Sequence, residues 1–361
     1  MNNGGITMDK QNYKELLKNT FKYDSANYNS QKIINKLKMN DIVTYKKNDS
    51  DKIVISTEDS VGKRVSNCID ANDNSLFQIE KYNIEKAYRY SIYFSCNEFE
   101  INNEKINNYI KIEDFNSKDN SNIDDYLKPR YFEDENKIVF IFVKNINKYV
   151  ENLDKSVNIL YPTLWIYHKK MKILEHRFNL IGFKSNDDFY KTTFMPQLDR
   201  LNNDFKIIVK EFRTSKIIKY IIENKKDEVH EISQYMGLKG DSSAKLKVGK
   251  NLIMPFIGDI EMILEENVDL FNKNNETKKI RDILNNYIVN TKENANYKSR
   301  LLSWYRNGEK EAFLNVNVMF SYKDNKYDVL NFLQPKKNDM EMMDYAIKYL
   351  WGAAKSINTT N

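Results

Sequence analysis

The chain of 361 residues contains little cysteine, glycine or proline and no long apolar run. Its two cysteines, Cys68 and Cys96, are too few for a disulfide framework or a four-cysteine zinc site, and a reducing compartment is their simplest setting. No apolar run approaches the ~18 residues that span a bilayer, and residues 1–10 lack the apolar core of a secretory signal. We therefore predict a cytoplasmic protein that has no membrane partner.

Several catalytic signatures are also missing. The three histidines, His168, His176 and His230, form neither HxH nor HExxH, which argues against a histidine-based zinc hydrolase. The sequence has no GxSxG serine motif, no GxxxxGK[ST] phosphate loop and no GxGxxG dinucleotide motif. The pattern predicts no metal and no cofactor, and it leaves any catalytic residue unknown.

The composition is that of a globular chain with a mixed surface. Hydrophobic residues make up 41% and aromatic residues 13%, which is enough for packed cores, and the length suits two or three domains. The net charge of +6 comes from 57 basic and 51 acidic residues, so the balance allows a basic patch without requiring one. Frequent Asn, Lys and Ile with little Ala and Gly is typical of an AT-rich prokaryotic genome.

The hydrophobic periodicity predicts an α+β fold. The N-terminal half is expected to be rich in antiparallel sheet, and the C-terminal half mainly helical before a final β-hairpin and helix. Strands are predicted at 53–55, 75–81, 88–99, 137–143, 158–167, 172–183, 312–320 and 327–333. Helices in the second half are predicted at 187–202, 205–223, 228–236, 258–271, 276–287 and 339–354. The polar stretch 114–125 reads as a loop, which gives the segments 1–115, 126–205 and 206–361.

Residues 212–250 carry the most specific pattern. Ile217, Ile218 and Ile221 form an apolar stripe for a first helix. Glu228, Val229, Ile232 and Met236 are spaced for a second helix that ends at Gly237, a residue suited to a tight turn. Over about forty residues this order resembles the winged helix-turn-helix family, in which the following helix reads DNA.

The resemblance implies two sets of DNA contacts. Phosphate contacts are expected from Arg213, Lys216, Lys219, Lys225 and Lys226. A reading helix at 241–250 would present Ser242, Ser243, Lys245, Lys247 and Lys250. Gly240 and Gly249 depart from the family at the two ends of that helix. The alternative is a strand over 244–254, in which Leu246, Val248 and Leu252 alternate with lysines.

Three functions follow from these patterns. The first is a nucleic-acid-associated protein that binds DNA through the basic module. The second is a non-catalytic interaction subunit of a multi-protein assembly, for example in antiviral defence, whose partners are other protein subunits. The third is a metal-dependent nuclease of unrecognised class, which requires neighbouring carboxylates. The carboxylates considered for it are Glu98, Glu100, Asp154, Glu175, Asp259 and Glu261.

Overall fold

The chain divides into two units in the computed structural model. Unit 1 comprises Met1–Glu211 and Gln334–Lys348, and unit 2 comprises Phe212–Leu333 and Tyr349–Asn361. The structure describes residues 7–46, 51–113, 123–179, 186–237, 243–247, 255–293, 296–305, 313–322, 327–333 and 339–360. Most of the predicted loop 114–125 lies outside these residues, and the three predicted segments stay a prediction.

Unit 1 begins with four helices and a short parallel strand pair. The helices are α1 (Lys10–Tyr23), α2 (Asn27–Met39), α3 (Val61–Ala71) and α4 (Asn74–Glu85), and the strands are β1 (Val43–Thr44) and β2 (Ile53–Val54). Asp9 caps α1, since its Oδ1 accepts a hydrogen bond from the Asn12 backbone N–H at 2.8 Å. Tyr13, Leu17 and Phe21 recur every four residues along α1 and are buried in one hydrophobic cluster with α2, α3 and α4.

The remaining strands of unit 1 pair in a mostly antiparallel arrangement. They are β3 (Tyr90–Glu100), β4 (Ile110–Lys111), β5 (Arg130–Glu133), β6 (Lys137–Val150), β7 (Lys155–His168), β8 (Ile173–Phe178) and β9 (Lys206–Glu211). The order is β3-β8-β7-β6-β5-β4, with β9 also paired to β3, and only β4 and β5 run parallel. Before β9 lie α5 (Asn186–Phe189), a π-helical turn (Tyr190–Phe194) and α6 (Met195–Asp204).

Unit 2 contains five antiparallel strands among its described residues and a group of helices. Its elements are α7 (Ser215–Asn224), β10 (Val229–Gly237), β11 (Ser243–Lys247), α8 (Pro255–Glu266), α9 (Val268–Phe271), α10 (Asn275–Glu293), β12 (Asn296–Trp304), β13 (Leu314–Met319) and β14 (Val329–Phe332). The strand order is β11-β10-β12-β13-β14. The last helix, α11 (Met340–Thr360), contributes residues to both units.

The mixed α and β composition is confirmed, but several predicted elements are wrong. Residues 75–81 belong to the helix α4, because Leu76, Ile79 and Tyr82 follow a helical spacing once the window is lengthened. The predicted helix 205–223 is the strand β9 followed by α7. The second half is therefore less helical than expected.

The largest correction concerns residues 228–236, which form the strand β10 instead of a helix. The pairing of β10 with β12 shifts its register between Glu231 and Ser233, which marks a β-bulge. The extra residue converts the period of two into a spacing that imitates a helix. Pairing with β11 on one side and β12 on the other satisfies the backbone, and this tertiary contribution outweighs local spacing.

Candidate protein-interaction surface

The basic residues expected to contact DNA are distributed along α7 and its two flanks. Arg213 Nη1 lies 3.8 Å from Asp328 Oδ1, and its guanidinium also donates to Ser321 Oγ. The Lys219 ammonium is 4.0 Å from Glu223, and the Lys225 ammonium is 3.5 Å from Glu228. Lys216 and Lys226 are exposed. Three of the five cations therefore have a carboxylate neighbour, which weakens the field available to a phosphate backbone.

The segment expected to read bases has strand geometry. Ser243, Lys245 and Lys247 belong to β11, so a reading helix over these residues is wrong and the alternative strand is confirmed for 244–247. Ser242 and Lys250 lie outside the described residues. A helix-turn-helix needs a second helix where β10 stands. DNA binding stays a prediction, but the reading helix expected to enter the major groove is replaced by the strand β11 over 243–247.

The carboxylate at the centre of unit 1 is committed to the fold. Glu175 is fully buried and accepts hydrogen bonds from Ser91 Oγ at 2.5 Å, Arg177 Nε at 2.7 Å and the His168 ring at 2.8 Å. Burial alone would raise the pKa of Glu175, but Arg177 and His168 outweigh burial and lower this pKa to about 2. With both oxygens engaged, Glu175 is a structural anion and not a free metal ligand.

The other carboxylates considered for a nuclease are dispersed. Asp154 lies in the β6–β7 turn, where its Oδ1 accepts a hydrogen bond from the Tyr149 hydroxyl. Glu98 and Asp259 are exposed and belong to different units. Across the residues that the structure describes, no group of three or more His, Cys, Asp or Glu side chains is positioned to hold a metal ion.

His176 gives a testable pH dependence. It is fully buried, with its ring centroid 4.3 Å from that of Trp165, and burial lowers the pKa of His176 to about 3. Unfolding lets His176 take up a proton below pH 6.5, so the stability it contributes is present above that pH and is lost as pH falls. At pH 5 the loss is about 2 kcal/mol. We expect His176→Phe to reduce the decrease in the free energy of unfolding, measured with urea, between pH 6.5 and 4.5. The same substitution at the exposed His230 should leave that decrease unchanged.

The helices α8, α9 and α10 have an inner side that packs as a small core. Ile257 and Leu264 of α8 and Ile288 of α10 are buried in one cluster with Met236 of β10. Leu284 packs against the same cluster. These positions recur at helical spacing, so the ordinary apolar face of each long helix is already covered within unit 2.

The same three helices also expose large apolar side chains on their other sides. On α10, Ile280, Ile283 and Tyr287 follow the i, i+3, i+7 pattern of one helical stripe and are 51%, 66% and 55% exposed. We call all the exposed apolar side chains of these helices the helical face. Its members are Met262, Ile263, Val268, Leu270, Ile280, Ile283, Tyr287 and Val289. Single exposed apolar residues are ordinary, but the three on one stripe of α10 make that stripe a candidate interaction site.

The charged residues of α8, α9 and α10 are segregated by sign along the chain. Residues 255–271 of α8 and α9 include five carboxylates and no lysine or arginine. Residues 272–289, which include most of α10, have four cations against two carboxylates. The cations are Lys273, Lys278, Lys279 and Arg281. The acidic segment and the basic segment each include exposed apolar side chains.

The sequence contained a signal for this surface. The predicted helices 258–271 and 276–287 have apolar residues on more than one side, for instance the adjacent pair Met262 and Ile263 and the pair Ile283 and Leu284. A helix that meets only one core needs a single apolar stripe. The second apolar stripe on α10, Ile280, Ile283 and Tyr287, is visible in the sequence but was not predicted as an interaction surface.

Within the described ranges no helix combines the length and the apolar character needed to cross a bilayer. No protein-family model matches the chain, and no curated protein and no solved structure was found to be similar to it.

Proposed function

We propose that this protein is a non-catalytic assembly subunit that associates through the helical face with a second copy of itself. The single observation that carries the proposal is the exposed stripe Ile280, Ile283 and Tyr287 on α10, a helix whose inner side is already packed. Fully burying an isoleucine contributes ~1.5–3 kcal/mol, so covering each half-exposed side chain is worth about 1 kcal/mol.

Charge segregation supports a second copy as the occupant. A closed two-fold interface brings the same patch of both copies together, and residues on one side of the axis meet residues from the opposite side of the patch in the other copy. A patch with one acidic part and one basic part is complementary to itself under such a rotation. The acidic α8–α9 of one copy would meet the basic part of α10 of the other, which favours the correct register and rejects a like-charged partner.

Analytical ultracentrifugation of the full chain over a concentration series tests the proposal. We expect a concentration-dependent dimer for the wild type and a monomer for Ile283→Asp, because a buried unpaired carboxylate opposes association at the centre of the stripe. The control is Met39→Asp, which adds the same charge at an 84%-exposed methionine in unit 1 and should leave the dimer unchanged. A wild type that stays monomeric at all concentrations overturns the second-copy assignment.

Charge reversal gives the same test a sharper form. Lys278→Glu/Lys279→Glu and Glu265→Lys/Glu266→Lys should each dissociate more readily than the wild type, since like charges then face each other. Mixing the two reversed proteins should restore association as a mixed dimer, detectable by native mass spectrometry. Failure of the mixture to recover, with both variants folded, would show that the charges do not set the pairing.

A further inference from the structure

A cavity of about 240 Å³ lies inside unit 1. Its walls come from α1, α2, α4, β6, β7 and the segments that connect them. This volume is below the ~300–1,000 Å³ of sites for drug-sized ligands, so an occupant is limited to roughly one substituted ring.

One wall of the cavity is apolar and aromatic. Leu17 and Phe21 of α1, Ile79 of α4 and Leu160 of β7 line it, and all four are buried. Tyr82 also lines it, with its hydroxyl donating to Asn29 Oδ1 at 2.8 Å. A wall of this composition binds an apolar or aromatic group. The hydrogen bond of Tyr82 fixes the position of its ring in the wall.

The remaining wall is cationic. The half-buried Lys86 donates from its Nζ to Asn83 Oδ1 at 2.8 Å, and in the described part of the chain no carboxylate forms an ion pair with it. Arg89 lines the same cavity and is exposed, with its guanidinium 5.5 Å from the centroid of the Tyr90 ring. The lining carboxylate, Asp24, lies 2.5 Å from the Lys148 ammonium, which compensates its charge.

The two cations have spare donors for an anion. An ammonium has three N–H donors, and Lys86 uses one of them on a neutral amide. Burial lowers the pKa of Lys86 to about 8 against the opposing effect of the Asp24 and Glu80 carboxylates, so at pH 7 the charged amine is held in a setting that penalises its charge. An incoming anion would relieve that penalty, whereas a cation would increase it.

We propose that this cavity binds a small organic anion whose acidic group meets Lys86 and Arg89 and whose aromatic ring lies against the apolar wall. Carboxylates and phosphate monoesters share this chemistry. Every residue that lines the cavity belongs to unit 1, whereas the residues of the helical face belong to unit 2.

Isothermal titration of the full-length protein at pH 7 tests the site with matched probes. 4-Hydroxyphenylacetate supplies the carboxylate arm, phenyl phosphate the phosphate arm, and 4-hydroxyphenylacetamide the neutral isostere. We expect at least one anion to bind and the amide to bind at least tenfold more weakly, since hydrogen bonds to a charged group are the stronger ones. Equal binding of anion and amide, or no binding of either anion at millimolar concentration, overturns the proposal.

Two variants separate recognition from folding. Lys86→Met keeps the aliphatic stem and removes the charge, and we expect it to weaken anion binding about 10- to 100-fold. Arg89→Met alters an exposed side chain, so it should fold normally and weaken binding severalfold. The control is Lys22→Met, an exposed lysine of α1 that does not line the cavity. Unchanged affinity in both Lys86→Met and Arg89→Met would refute the assigned contacts, whatever the oligomeric state of the protein.

Discussion

Replacing Arg177 by methionine is expected to lower the free energy of unfolding of unit 1 by about 3–5 kcal/mol. Arg177 is fully buried, and its Nε and one Nη donate to the two oxygens of Glu175 at 2.7 and 2.8 Å. The same guanidinium contacts Asp344 at the start of α11. Removing the cation leaves the Glu175 charge buried without its main partner, and that is far more costly than losing an exposed ion pair.

Urea unfolding followed by circular dichroism measures this effect. The control is Lys206→Met, which removes an exposed ion pair with Glu100 in the same unit and should cost less than about 1 kcal/mol. Combining Arg177→Met with Glu175→Gln should recover part of the loss, because the uncompensated charge is gone. Equal stabilities of Arg177→Met and Lys206→Met would contradict the central role of the buried pair.

The pH dependence of the same pair has a defined sign. The folded-state pKa of Glu175 is about 2, below the usual unfolded value of about 4.3. The stability that the pair contributes is therefore complete above about pH 4.3 and is lost as pH falls through about 2. Arg177→Met should remove this acid-sensitive contribution along with the stability at neutral pH.

The second large effect is expected at Gly62, in the first turn of α3. A Cβ at this position would lie 2.6 Å from the Phe21 carbonyl oxygen of α1, and 3.3 Å from the Phe21 carbonyl carbon. These are backbone atoms, so the alanine can be accommodated only if the two helices move apart. We expect Gly62→Ala to destabilise unit 1 by about 2–3 kcal/mol, as overpacking of a tight contact does.

Gly352 is the matched control for this prediction. It lies within α11, and an added Cβ would meet nothing within 4 Å. Gly352→Ala should therefore stabilise the protein by about 0.5–1 kcal/mol, which is the usual gain of alanine over glycine inside a helix. Thermal unfolding of the two variants should shift in opposite directions. A neutral or stabilising Gly62→Ala would mean that α1 and α3 do not approach as closely as the structure has them.

Elements with long, unambiguous patterns could be predicted from the sequence alone. The apolar runs at 137–143, 158–167 and 172–183 predicted strands where the structure has β6, β7 and β8, and the strict alternation of Leu314, Val316 and Val318 predicted β13. Elements with short or interrupted patterns could not. In β10 the bulge breaks the alternation of apolar and polar residues. In α4 the apolar residues of 75–81 span too few positions to distinguish the period of a strand from that of a helix.

The candidate sites show the same division. The amphipathic helices α8 and α10 were predicted, but which of their apolar residues remain exposed depends on how much of each helix β10 and β12 cover. The cavity of unit 1 could not be predicted, because Asp24 lies in the α1–α2 connection whereas Lys86 and Arg89 lie in the α4–β3 connection, and the two connections meet only in the folded unit. No spacing in the chain relates Asp24 to the two cations.

By itself the sequence determined the mixed α and β composition, part of each of the strands β6, β7 and β8, and the amphipathic helices, because these depend on local periodicity and burial. The tertiary structure decided that residues 229–237 form a strand, that Glu175 is held by a buried cation, and that α10 retains an uncovered apolar stripe. Each of these outcomes depends on partners distant in the chain, and pairing and desolvation energies between distant segments leave no periodic trace in the sequence.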